Sequence, residues 1–271
     1  MAEGLWRRLA DRLPGRRPPP DIPEALWRRE VGALPFLARL TPEELARLRG
    51  LCARFLREKE FAAAGGLALS DPMCLCIALQ GCLPILNLGL DWYGGWVEIL
   101  VYPGEFLVHR QVMDDNGVIH EFREVASGEA WQGGPLILSW SDAAMAGQGY
   151  NVVIHEFAHK LDMINGPADG IPPLPDRGAQ ERWVAALDQA YEDFCRRVDQ
   201  AEAQPEGTAQ AAWDAWDALP LDPYGAENPG EFFAVASESF FEAPTVLAQA
   251  YPVFYRVLAA FYRQDPAGAQ S

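Results

Sequence analysis

Two imidazoles and a carboxylate stand together in His155-Glu156-Phe157-Ala158-His159. Residues four apart share a helix face, so both rings can offer nitrogens to one metal ion about 2.0–2.1 Å away, with Glu156 beside it. Zinc held in this way brings the pKa of its water towards about 7, and a neighbouring carboxylate can take the proton and pass it to a leaving amine. That chemistry is hydrolysis. With 4 His and 21 Glu among 271 residues, chance supplies on the order of 0.005 such patterns. The bland alternative is a pair of core histidines with a surface glutamate.

The pattern needs a buried helix, and Val152, Val153, Ile154, Phe157, Ala158 and Leu161 wrap it with apolar side chains. A catalytic zinc also takes a third protein ligand and leaves a position open. No further histidine follows His159 at a ligating spacing, which leaves the later carboxylates Glu181, Glu192, Glu202, Glu206, Glu227, Glu231, Glu238 and Glu242, as well as aspartates. Glu231 is favoured, because it opens the strongly apolar EFFAVASESFF helix, where a carboxylate without a partner is costly to bury. A capping role, reaching back to Asn228, competes with this. Glu238 follows Glu231 by seven residues, and Asp162 follows His155 by seven. Either can accept a hydrogen bond from a metal-bound imidazole, or simply be solvated.

Other elements must position these groups. Thr41-Pro42-Glu43-Glu44 starts a capped helix, and Asp71-Pro72 starts one that is apolar almost all round. Strand periodicity begins near Trp96, with Val97 to Tyr102, then a hairpin of Phe106 to Met113 and Val118 to Val125 about Asp115-Asn116-Gly117. His109 and His120 fall on its arms, where a ligand role is the less common one for a strand histidine. Pro135 cannot donate to a ladder, so the strand Leu136-Ile137-Leu138-Ser139-Trp140 is predicted at a sheet edge, open to an extended peptide. Later helices are predicted over Gln180 to Val198, Trp213 to Leu219, Asn228 to Pro244 and Pro252 to Arg263.

The expected fold class is α+β: a mixed β-sheet, the helix of the HExxH motif, and additional N- and C-terminal helices. The expected division is a basic, proline-rich segment (1–24), a helical scaffold (25–95), a catalytic domain (96–265) and a loose tail (266–271). Within the first segment, GLWRRLADRL reads as a helix docked on the protein's own core, with a membrane or partner surface as the alternative.

Residues 1–60 carry 13 Lys+Arg against 9 Asp+Glu, or +4, and the remainder 9 against 29, or −20. Most of the chain should repel nucleic acid. The apolar run from Met73 to Leu90 is too broken by Gln80, Gly81, Pro84 and Asn87 for a membrane span. Five cysteines without zinc-ribbon spacing read as reduced thiols in a cytoplasmic protein.

HEFAHKLDMINGPADG and LDPYGAENPGEFFAVASESFF, with GPLILSW, ALQGCLPILNLGLDWY and FYRQDP, resemble the Mlc titration factor A family of bacterial zinc peptidases, over about residues 25 to 265. The resemblance implies a zincin-type, gluzincin-like domain related in its active site to anthrax lethal factor. It implies one zinc ion on His155, His159 and Glu231, Glu156 as general base, and Tyr224 as the oxyanion donor. It further implies aminopeptidase-like activity on small substrates and binding to the repressor Mlc. Two functions follow: a peptidase, or a protein that sequesters a transcription factor with catalysis incidental. A structural zinc site is disfavoured, since those normally use four Cys or His ligands.

Overall fold

The computed structural model describes residues 21–113, 119–147, 149–203 and 215–268, with the side chains of 109–122 excluded. The GLWRRLADRL helix, the Asp115-Asn116-Gly117 turn, the side chains of His109 and His120, and the start of the Trp213 helix lie outside the described residues.

Helices α1 (Glu24–Ala33), α2 (Pro42–Glu58) and α3 (Asp71–Cys82) come first, with strand β1 (Glu60–Ala63) directly after α2. Thr41 caps α2 reciprocally with Glu44, as the sequence predicts. Next come β2 (Glu98–Tyr102), β3 (Phe106–Met113), β4 (Ile119–Ala126), β5 (Gly128–Ala130), β6 (Leu136–Ser139) and the short α4 (Trp140–Ala143). The remaining helices are α5 (Val152–Asp162), α6 (Arg177–Glu202), α7 (Pro229–Glu242), α8 (Pro244–Ala250) and α9 (Pro252–Tyr262). Pro244 therefore both stops α7 and starts α8, since proline suits a first turn.

The architecture is α+β. A four-stranded sheet has the order β1-β2-β6-β5, while β3 and β4 form a separate antiparallel hairpin. β1, β2 and β6 are parallel and β5 is antiparallel to β6, so the sheet is mixed. β1 lies in the stretch expected as a helical scaffold, and it pairs with β2 beyond residue 95.

One expectation is corrected. Leu136, Ile137, Leu138 and Ser139 form an interior strand, not an edge: Ile137 pairs with Leu100 on one side and Glu129 on the other. Trp140 has already turned into α4. Pro135 is harmless because it precedes the first ladder residue, and its carbonyl accepts the Trp131 N–H at 3.1 Å, closing the β5–β6 turn. The edge on this side of the sheet is β5.

Among the described residues a single apolar core runs from Ile22 to Tyr262 and buries α5 on all sides. Phe157 of α5 meets the rings of Phe55, Tyr93 and Trp96 at 5.7, 5.0 and 5.9 Å. Lys59 enters the same region: its ammonium donates to the carbonyls of Tyr93 and Trp96 at 2.6 and 2.5 Å and lies 3.6 Å from the Trp96 ring centroid. Burial pulls its pKa down to about 8. Between that value and about 10.5 the unfolded chain binds more protons than the folded one, so stability rises with pH. Lys59→Met lacks this titration, so urea unfolding at pH 7 and pH 10 should find wild type gaining stability relative to the variant as pH rises. An equal difference between the two proteins at both pH values would refute the assignment.

Candidate metal centre

α5 begins at Asn151, whose side chain accepts the Ile154 N–H at 2.8 Å and so satisfies a donor of the first turn. His155 and His159 project from one face, with Nε2 atoms 3.1 Å apart. α7 begins in the same way, with the Asn228 side chain accepting the Glu231 N–H at 3.0 Å. The Glu231 carboxylate does not fold back on Asn228. Its Oε2 lies 3.0 Å from His155 Nε2 and 3.1 Å from His159 Nε2.

These three atoms make a nearly equilateral triangle. Tetrahedral zinc with bonds near 2.0–2.1 Å places its ligand atoms about 3.4 Å apart, close to this spacing. Proton bookkeeping points the same way. His155 Nδ1 lies 2.8 Å from Glu238 Oε1, and a carboxylate oxygen only accepts, so the ring proton belongs on Nδ1. The Nε2 lone pair then faces a carboxylate oxygen and a second imidazole nitrogen, an arrangement that calls for a cation between them. The residues present fit a divalent metal.

The field agrees. Burial alone favours a neutral His155, yet hydrogen bonds and charge from Glu231 and Glu238 push its pKa well above the usual value. Burial would raise Glu231, but the two histidines hold it well below the usual carboxylate range. A pocket that so strongly favours positive charge on an imidazole also favours a metal cation.

Glu156 is buried beside the triad, and burial pushes its pKa up in spite of both histidines. Its Oε2 has no hydrogen-bond partner. Its carboxylate lies against Gly128 of β5 so closely that a Cβ there would collide with Oε1. Tyr224 lies on a 3₁₀ turn (Pro223–Ala226) capped by Asp222, with its ring centroid 6.0 Å from that of His155. Burial, and then the Glu231 charge, raise its pKa, so the phenol is a donor at neutral pH. These groups line a cavity of about 360 Å³ whose wall includes β5 and the end of β4.

The other expected residues divide. Glu238 touches His155 and also takes the Asn151 N–H at 2.6 Å. Asp162 makes no hydrogen bond to a histidine among the described residues: its Oδ2 accepts the Gly170 N–H at 2.7 Å, and burial raises its pKa to about 7. His159 Nδ1 and Asp162 Oδ1 are both buried without a partner. Glu242, weighed in sequence only as a ligand, instead holds the approach to α5, accepting from Gly147 N, Gly149 N and Asn151 Nδ2. Gly128 escaped the sequence reading altogether, since a three-residue strand has no periodicity to detect.

Three metal donors meeting in a cleft with an adjoining carboxylate is the arrangement of a metallopeptidase centre. The chain belongs to the family of glucose-regulated metallo-peptidases M90, whose sequence model matches residues 6–263. It is 41% identical over 237 residues to Mlc titration factor A of Salmonella arizonae, covering 86% of this chain and 89% of that one. To Mlc titration factor A of Salmonella typhi it is 42% identical over 237 residues, covering 86% and 84%. Membership of a metallo-peptidase family implies a metal. Among the described residues no helix is long and apolar enough to cross a membrane.

Proposed function

We propose that this chain is a zinc-dependent peptidase of the gluzincin-like kind, with His155, His159 and Glu231 holding one zinc ion. The observation that carries this reading is the 3.0–3.1 Å triangle of their donor atoms. When bound, zinc supplies Lewis acidity, polarising the scissile carbonyl and acidifying water. Glu156 takes the proton from water and returns it to the departing amine. Its burial supports this role, since a raised pKa makes a carboxylate a stronger base. The Tyr224 phenol donates to the oxyanion as charge develops. Glu238 keeps the His155 proton on Nδ1. The substrate backbone adds to β5, which ends the sheet beside Glu156. Activity on short peptides with a free amino terminus follows from the resemblance to the family, and the five free cysteines support a cytoplasmic setting.

The test is metal exchange. Purified protein should contain one zinc per chain by mass spectrometry, a chelator should remove both metal and hydrolysis of an alanine anilide and a pentapeptide, and zinc should restore them. Full activity without metal would overturn the reading.

A second reading comes from the relatives' name, Mlc titration factor A: the chain also binds a repressor of the Mlc type. Binding is separable from chemistry, so a pull-down should capture such a repressor equally well with wild type and Glu156→Gln. Absence of capture by either would remove this partner.

A further inference from the structure

β5 has only three residues, and its ladder to β6 is correspondingly short. So short a ladder is a weak constraint on how far the strand stands from α5. Something else has to set the distance between the edge that receives substrate and the carboxylate that works on it.

Lys160 provides that constraint. It follows His159 directly on α5 and is 4% exposed. Its ammonium donates to three backbone carbonyls of the turn joining β5 to β6, at Trp131 (2.6 Å), Gly134 (2.8 Å) and Pro135 (3.3 Å). Lysine has three N–H donors, and each has a carbonyl here. The ammonium also lies 4.7 Å from the Trp96 ring centroid, on a residue already packed against Phe157 of the same helix. A second tether sits alongside: Gln132 Nε2 donates to the Gly166 carbonyl at 2.9 Å, just beyond the end of α5. At the other end of β5, Gly128 rests against the Glu156 carboxylate.

We infer that Lys160 is a positioning residue for substrate, fixing β5 at its working distance from Glu156 by holding the β5–β6 turn to the catalytic helix. The inference rests on the peptidase reading and on β5 as the strand that receives substrate. It predicts a dependence on substrate length. A pentapeptide that pairs along β5 needs the strand in place, whereas an alanine anilide makes little use of it. Misplacement of bound substrate by about 1 Å can cost on the order of a hundredfold in rate.

Lys59 supplies an internal control. It too is buried against Trp96 and donates to two carbonyls, but those belong to Tyr93 and Trp96, away from the β5–β6 turn. The experiment compares zinc-loaded full-length wild type, Lys160→Met, Lys59→Met and Gln132→Ala. It measures zinc content, kcat and KM on a pentapeptide and on alanine anilide, and hydrogen exchange of the β5 amides. Lys160→Met is expected to keep its zinc, lose about 10- to 100-fold on the pentapeptide mainly in kcat, stay within about threefold on the anilide, and exchange faster along β5. Gln132→Ala, at an exposed position, should move the same ratio less. Lys59→Met should leave the ratio and β5 exchange unchanged.

Equal changes in the two lysine variants, or an unchanged ratio and unchanged β5 exchange in Lys160→Met, would overturn the inference. Should Lys160→Met fail to fold, an unchanged ratio in Gln132→Ala overturns it instead. If zinc-loaded wild type hydrolyses neither substrate, the peptidase reading falls, and the exchange measurement still decides whether Lys160 holds β5.

Discussion

Glu156→Gln protein, fully loaded with zinc, is expected to hydrolyse peptides at least about a thousandfold more slowly than wild type. The amide is nearly isosteric, so the contact with Gly128 survives and the metal donors are untouched. What is lost is a group able to accept a proton from water and release it to the amine, a function worth roughly 10²–10⁴ in rate. Here the effect should fall in the upper part of that range. Glu156 is 5% exposed and its Oε2 has no protein partner, so no hydrogen-bonded neighbour of that oxygen substitutes for it. Single-turnover rates beside metal content by mass spectrometry make the measurement. Normal rates in zinc-loaded Glu156→Gln would end the general-base assignment and leave the repressor-binding reading in front.

The second large effect is expected at Glu231. Replacing it with alanine removes the anionic corner of the triangle and leaves only the two imidazoles, so the protein should emerge from desalting with little or no zinc and no measurable hydrolysis. Thermal unfolding gives an independent readout. A metal that binds only the folded chain stabilises it by RT ln(1 + [L]/Kd), about 4 kcal/mol at a thousandfold excess over Kd. Added zinc should therefore raise the melting temperature of wild type and leave that of Glu231→Ala unchanged. Zinc retained by the variant at one per chain would mean that the third ligand is a different carboxylate.

How much of this was readable in the chain depends on the range of the interactions involved. The α5 helix, its two imidazoles and the capped starts of α2 and α7 rest on contacts within a few residues, and the sequence displays them. The direction of the Glu231 side chain does not. Its local surroundings suit a cap on Asn228 as well as a metal ligand, and the structure separates the two only because α7 packs against α5, bringing Glu231 to His155 across 76 residues. The misplaced edge strand has a similar origin. Pro135 is a sound signal of interrupted pairing, but the partner on that side, Gly128-Glu129-Ala130, is too short and too polar to announce itself as a strand. For Asp162 the spacing left open a histidine or another partner; its Oδ2 accepts from Gly170, on a loop whose path no periodicity describes.

α7 grips one imidazole at both nitrogens, Glu231 at Nε2 and Glu238 at Nδ1, seven residues apart on a single helix. A slip of α7 by one residue would break both contacts together, and until it docks α5 carries only two of the three donors. During synthesis the ribosome delivers α5 well before α7, so the nascent chain holds a histidine pair before it holds the whole cluster. The cluster of His155, His159 and Glu231 is thus a property of the finished fold and not of any one segment of it.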